Sequence, residues 1–490
     1  MKLIAQNSSI RVFFRTIIVL AAFIHAFPLR AADAPTTEEL LQRIKSLEQE
    51  VKELRDKVEH PTAPSGPALS ISQPQQQQNL PQQTSGSATN STPAFTAGPN
   101  GFSFQSEESN FVIAMHGLVQ TDSRTFFTDD KVKGNDTFLL RRARPIISGT
   151  VYKDFDFLFT PDFGGNTVQI VDALANYRLE PELQLQVGKM KPPVGLEALQ
   201  PEQYTFFNER TLATDLLPYR DIGVELHGDL FGGVISYATG IFNGVADNVT
   251  TTTNSDFDNN KGFDGRVFFQ PFKKTSIAAL QGFGVGVAGT YQLDSGSTNN
   301  NTTTGLTQGF VTEGQQKFFT YSNSVASTGV HTRITPQGYY YWGPFGLMGE
   351  YVANSDHVSN FAKKITSANL ENTAWEISGG YVLTGEKDSY NGVTPRHPFS
   401  PFNGQWGALQ LVARYSELDV DKKAFKGFAD SGTSASEAGA WAIGLNWYLN
   451  SNIRVNTSFS RTTFEGGNGA KATVTKQPEE VLFTRLQLSF

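Results

Sequence analysis

The sequence predicts an all-β fold: a transmembrane antiparallel β-barrel of about 16 strands, preceded by a short N-terminal coiled-coil helix and a flexible linker. Three observations carry this. The chain ends Leu482-Phe483-Thr484-Arg485-Leu486-Gln487-Leu488-Ser489-Phe490, with Leu482, Leu486, Leu488 and Phe490 on one face of a strand and Arg485, Gln487 and Ser489 on the other. Beyond the first 32 residues no apolar run is long enough for a spanning helix, which leaves a closed barrel as the structure able to pair every backbone group in hydrocarbon. Finally, 45 Gly, 38 Phe and 15 Tyr in 490 residues accompany a mean hydropathy of −0.30, low because half of the strand positions in such a barrel face water.

Taken in order, residues 1–32 read as an export signal. Lys2, Arg11 and Arg15 precede the short apolar run Thr16–Ile24, and Ala26, Ala31, Ala32 and Ala34 offer small residues for cleavage, which leaves the cut between 26 and 34. Removing Lys2, Arg11, Arg15 and Arg30 takes the formal charge from −7 to about −11, an acidic balance that argues against nucleic acid as a partner. Residues 37–59 carry a heptad: Leu40, Ile44, Leu47, Val51, Leu54 and Val58, spaced alternately by four and three, with Glu and Lys or Arg between them. This predicts a periplasmic coiled coil of about three heptads, too short to hold an oligomer alone; an amphipathic helix lying on another surface is the alternative. Residues 60–100, rich in Pro, Gln, Ser, Thr and Gly and including Gln73–Gln78, cannot bury a core and predict a flexible linker.

Residues 101–490 repeat short alternating runs. Leu183, Leu185 and Val187 oppose Gln184 and Gln186; Trp375, Ile377, Tyr381 and Leu383 oppose Glu376, Ser378 and Thr384; Leu409, Leu411, Ala413 and Tyr415 oppose Gln410, Arg414 and Ser416. Trp441, Ile443, Leu445, Trp447 and Leu449 alternate with small or polar residues. Tight joins at Leu179–Glu182 and Tyr448–Asn452 contrast with long Asn- and Thr-rich loops at 247–260 and 294–309, and Tyr339–Trp342 reads as interface girdle or as a loop packing cluster. At roughly 10 residues per strand plus connections, these residues make about 16 strands around an aqueous lumen.

Several motifs resemble the phosphate-selective porin O and P family. They are Phe138-Leu139-Leu140-Arg141-Arg142-Ala143-Arg144, placed just before a strand; Val187-Gly188-Lys189-Met190-Lys191-Pro192-Pro193-Val194-Gly195-Leu196-Glu197; Phe206-Phe207-Asn208-Glu209-Arg210; Leu216–Val224; Gly380–Glu386; and Ala413–Asp419. The resemblance implies a 16-stranded, homotrimeric porin of the bacterial outer membrane, embedded in lipid and passing small anions such as phosphate or polyphosphate. It also makes the terminal Phe490 a signal to the outer-membrane assembly machinery. Pro192 and Pro193 end the ladder, about 30 residues pass before pairing resumes near Ile222, and the resemblance makes this segment an inward constriction loop with Arg210 as its arginine. Lys189, Lys191 and Arg220 flank it. Guanidinium suits an oxyanion because its fork donates two parallel hydrogen bonds. The alternative is that Glu209 pairs with Arg210 or another basic residue and pins the segment to the wall. Strand parity points Arg142, Arg414, Arg454 and Arg485 into the lumen.

An anion-preferring porin therefore competes with a weakly selective general porin and with an envelope tether acting through the coiled coil on the cell wall. Nothing supports an enzyme. The seven His residues, including His116, His227, His331 and His397, make no spaced triad with Ser and an acid, no metal-ligand spacing is present, and the absence of Cys excludes thiol chemistry. No catalytic residue, metal or cofactor is expected.

Overall fold

The computed structural model describes residues 94–490 apart from 128–133, 166, 251–255, 300–301, 306, 363–365, 431 and 468–475. The export signal, the coiled coil and most of the linker lie outside the described residues. Eighteen strands form one antiparallel sheet. They are β1 (Ala94–Gly98), β2 (Gly101–Gln105), β3 (Phe111–Phe126), β4 (Thr137–Val151), β5 (Phe155–Asp162), β6 (Gln169–Glu180), β7 (Leu183–Met190), β8 (Asp221–Leu230) and β9 (Ile235–Phe242), followed by β10 (Gly262–Phe269), β11 (Phe283–Leu293), β12 (Val325–Trp342), β13 (Phe345–Asn360), β14 (Thr366–Val382), β15 (Ala408–Asp419), β16 (Ala435–Tyr448), β17 (Ile453–Gly466) and β18 (Glu479–Ser489). Strands β3 to β18 each pair with the next, and β18 pairs with β3, which closes a 16-strand barrel.

Closure depends on the last residue. Phe490 exchanges two backbone hydrogen bonds with Gly117, at 2.8 and 3.0 Å. Its ring lies over Gly117, where a Cβ would collide with it, and meets Phe102 edge-on at 6.1 Å. β3 runs past this point, so β2 takes over its edge, pairing Phe102–Gln105 with Val112–Met115 below the last β18 pair, Ser489 with Leu118. β1 then pairs with β2. Pairing thus begins at Ala94, inside the segment the sequence assigns to linker.

The expected alternation holds around the wall. Leu486 and Leu488 point out while Arg485 and Gln487 are buried, and Trp375, Ile377 and Tyr381 point out from β14 while Glu376 and Ser378 face in. Tight turns join β4–β5, β6–β7, β8–β9, β12–β13 and β16–β17 at one rim, which also carries the long connection 383–407, and the connections 191–220, 243–261, 294–324 and 420–434 lie at the other. Tyr339–Trp342 divides by parity. Trp342 is exposed outside, whereas Tyr339 turns inward against Phe268 and Tyr390, and Tyr341 packs beside it.

One departure decides the shape of the lumen. The inner faces of β13–β16 are apolar as well: Val352, Val358, Leu370, Ala374, Leu418, Ala435, Ala438 and Ala440 are buried there. They pack on Val194, Leu212, Leu216 and Leu217 of segment 191–220 and on Phe310, Phe318 and Phe319 of segment 294–324. Each fully buried Val, Leu or Phe side chain contributes about 1.5–3 kcal/mol, so this inner core holds both segments against one side of the barrel. The period-two pattern conceals it, because small and apolar residues on the inner face still alternate with larger residues outside.

Two outcomes follow from closure. Phe490→Asp removes the ring from Gly117 and puts a charge on the lipid side, so it should sharply reduce the heat-modifiable folded band on gels; a normal yield of that band would disprove the role of Phe490. A chain starting at Ala94 behind an intact signal should fold like the full chain. One starting at Phe111 lacks β1 and β2, leaves the β3 edge unpaired, and should convert to the unfolded mobility at a lower temperature.

Candidate functional site

Segment 191–220 starts where β7 can no longer pair. At Gly188 (φ 132°) a Cβ would overlap the Ala173 carbonyl, so only glycine lets β6 approach, and Pro192 and Pro193 then end the ladder. A single helical turn, Leu196–Leu199, follows, and the N–H groups of Leu196 and Glu197 donate to the Glu350 carboxylate of β13 at 2.6 and 3.0 Å. The segment then crosses to β15–β18 and returns through a 3₁₀ turn, Leu212–Leu216.

Irregular backbone inside a barrel must find partners away from any ladder. Wall side chains supply them. Arg454 donates to the Thr205 carbonyl at 3.0 Å, Asn446 and Asn456 to Phe206 at 3.0 and 2.9 Å, Arg485 to Asn208 at 2.6 Å and Arg414 to Glu209 at 2.7 Å. Three of the four arginines that parity directs inward are therefore engaged in holding the segment. Arg485 is also bidentate to Asp122 at 2.6 and 2.7 Å, and Arg414 pairs with Glu313 at 2.8 Å.

Two carboxylates organise the basic groups. Glu209 accepts from Arg141 at 2.6 and 2.9 Å and Arg124 at 2.8 Å, with Arg485 3.5 Å away. It pins the segment to the wall, the alternative the sequence left open, although through these residues and not through Arg210. Glu202 is surrounded by Arg144 and Arg220 at 3.3 Å and by Lys191 and Arg210 at 3.6 Å. Burial works to raise both carboxyls, but the surrounding cations hold both well below the ordinary range.

Arg210 serves as a cap. It donates to the carbonyls of Glu197 at 3.0 Å, Ala198 at 3.4 Å and Gln200 at 2.8 Å, the end of the helical turn, and to the Tyr219 hydroxyl. Arg220 pairs with Asp172 at 2.9 Å. Lys191 donates to the Gln200 carbonyl at 3.1 Å, and Lys189 is buried on β7 opposite Ala173 of β6.

The Arg141–Arg144 motif lies within β4 and not before a strand. A bulge there pairs Gln120 with Arg142 but Thr121 with Leu140, which leaves Arg141 as the extra residue. A bulge re-aims side chains, so Arg141, Arg142 and Arg144 all reach the lumen. They line a cleft of about 400 Å³ together with Arg210, Tyr219 and Arg220 and the acidic Asp162, Glu209 and Asp215. Arg144 pairs with Asp162 at 2.7 Å. Arg142 differs. It is 4% exposed, donates to the Gln120 amide oxygen at 2.7 Å, and has no carboxylate partner and no acceptor for its Nε among the described residues. Sequence reasoning named Arg142 but missed Arg124 and Arg144, which strand parity supplies, and Arg141, which needs the bulge.

Residues 113–490 match the family described as phosphate-selective porin O and P. Porin O of Pseudomonas aeruginosa is 24% identical over 382 residues, 73% of this chain and 84% of that protein. The outer-membrane channel DcaP of Acinetobacter baumannii shares the fold at 11% identity and a TM-score of 0.50, over 79% of this chain and 99% of that one. The family match runs from β3 to the terminal Phe490, across the barrel, segment 191–220 and the arginine-lined cleft, and the chain belongs to the phosphate-selective porin O and P family of outer-membrane porins.

Proposed function

We propose that this porin passes small anions passively along the basic side of its lumen, with segment 191–220 as the constriction and Arg142 as the residue that sets anion preference. The observation that supports this is the charge accounting of the cleft. Arg141, Arg144, Arg210 and Arg220 each lie within 4 Å of Glu202 or Glu209, so little of their charge is left for a solute. Arg142 keeps its charge and an unused Nε–H. A unit charge about 4 Å from a univalent anion attracts it by about 4 kcal/mol at an effective dielectric near 20, before desolvation of the ion is subtracted. Phosphate or polyphosphate suits such a site because a guanidinium fork donates two parallel bonds to adjacent oxygens. The family description points the same way. Arg210, which the sequence favours for selectivity, acts here on the shape of the constriction, while Lys189, Lys191 and Arg220 add to the field. The barrel works as a homotrimer, and residues 37–59 form its periplasmic coiled coil.

The second reading, a weakly selective general porin, draws on the same pairing, since most lumen cations are neutralised. Planar-bilayer recordings in KCl gradients separate the two. Arg142→Gln should move the zero-current potential toward cations and weaken block by added phosphate about tenfold or more, while Arg142→Lys keeps most of the anion preference but loses affinity for phosphate. Unchanged potentials and block in both variants would favour the general porin.

Arg210→Ala should act differently. With the helical turn uncapped, single-channel conductance should become larger and noisier with little change in zero-current potential. A large shift toward cations in that variant would return selectivity to Arg210.

A further inference from the structure

Away from the basic cleft, the ends of β11, β12 and β13 nearest the long-loop rim bring together residues that the sequence spreads over 65 positions, from Gln292 to Asp356. Gln292 of β11 pairs in register with His331 of β12, and His331 with Asp356 of β13. Asp294 follows β11 on the same face as Gln292. Asp294, His331 and Asp356 are 5%, 1% and 5% exposed, and each offers a ligand atom, all of them within 4.8 Å of one another. Asp294 Oδ2 lies 3.7 Å from His331 Nδ1, and Asp247 Oδ1 lies 3.5 Å from Nε2.

The charges do not balance. Arg333 is satisfied by Asp247, at 2.7 Å. Among the described residues, Asp294 accepts hydrogen bonds from the Gln292 amide alone, at 3.0 and 3.1 Å, and Asp356 Oδ2 from the Ser327 hydroxyl alone, at 2.7 Å. Asp356 Oδ1 is buried and has no hydrogen-bond partner among the described residues. Beside a neutral imidazole, two carboxylates thus lack a full counter-charge, although unpaired buried charge is strongly unfavourable. A monovalent partner, such as a protonated His331, would leave one of them; a divalent cation removes both. Two carboxylate oxygens and an imidazole nitrogen suit a first-row metal better than calcium or magnesium, which favour all-oxygen sites. Ligand atoms around Zn²⁺ stand about 3.3–3.6 Å apart, so shifts of roughly 1 Å would close this set on an ion. With Nδ1 on the metal, Nε2–H would donate to the carboxylate of Asp247, a common outer partner of a ligating imidazole, and the Asn354 amide, whose nitrogen lies 3.1 Å from Nε2, would turn its unpartnered oxygen there. Gln292 and Arg333 also approach Nδ1, at 3.4 Å each, and would have to yield that contact.

We infer that Asp294, His331 and Asp356 form a site for a divalent first-row metal ion on the lumen wall. The test uses Zn²⁺ alone on the full chain, purified in detergent and stripped with a chelator. Calorimetry should show one tight Zn²⁺ per chain. Outer-shell changes cost about 10–100-fold in metal affinity, so Asp294→Asn and Asp356→Asn should each weaken the tight phase by at least that much, while Glu417→Gln/Glu437→Gln, in an acidic group on the outer wall, should leave it intact. Anomalous diffraction from Zn²⁺-soaked wild-type crystals, which does not depend on the variants folding, should place a peak among the three side chains. No tight phase in wild type, the same affinity in folded Asp294→Asn and Asp356→Asn, or no peak at this position would overturn the site.

Discussion

The need to pair backbone groups where no ladder is available shapes most of this molecule. In the wall that need is met by closure of β18 on β3, and by β2 where β18 ends short of the lower part of β3. Phe490 sits at the junction of these two partners, so the last residue completes the pairing of the sheet at the point where one neighbour replaces another. Inside the barrel the same need falls on segment 191–220, whose carbonyls are met by arginines and asparagines reaching in from β15–β18.

This use of arginine separates two roles that look alike in a sequence. A lumen arginine donating to a buried carbonyl holds backbone in place, and in Arg485 and Arg414 the charge is also balanced locally, by Asp122 and Glu313. The apolar inner faces of β13–β16 assist by packing the segment to one side, which leaves the β4–β8 side lined by polar groups. Hydrophobic burial inside the lumen therefore decides where the aqueous passage can run.

The fold was legible because its signals are local. Period-two alternation, tight turns and a terminal aromatic each need fewer than about ten residues to read. Parity directs Arg142, Arg414, Arg454 and Arg485 inward, and all four are buried. What each arginine does was not legible, because the partners of Arg414, Arg454 and Arg485 lie 205, 249 and 277 residues away and depend on the path of segment 191–220. Arg141 was hidden by a bulge, which breaks parity by one residue. The Asp294–His331–Asp356 group was invisible for a related reason. Motif spacing finds ligands on one helix or loop, whereas here two strands in register supply His331 and Asp356 and the residue that follows a third strand supplies Asp294.

The bulge also accounts for the arginine left over within the cleft. A regular β4 would alternate, sending Arg142 and Arg144 inward and Arg141 to lipid. With the extra residue, three guanidinium groups enter the lumen within four positions, a concentration of like charge that needs acids nearby. Glu209 takes Arg141, and Asp162 with Glu202 takes Arg144. Both glutamates belong to segment 191–220, so this segment neutralises the arginines on either side of Arg142. Gln120 meets Arg142 with a neutral oxygen only. Among the arginines of the cleft, Arg142 is thus the one without a carboxylate partner among the described residues, held between neighbours that are themselves paired.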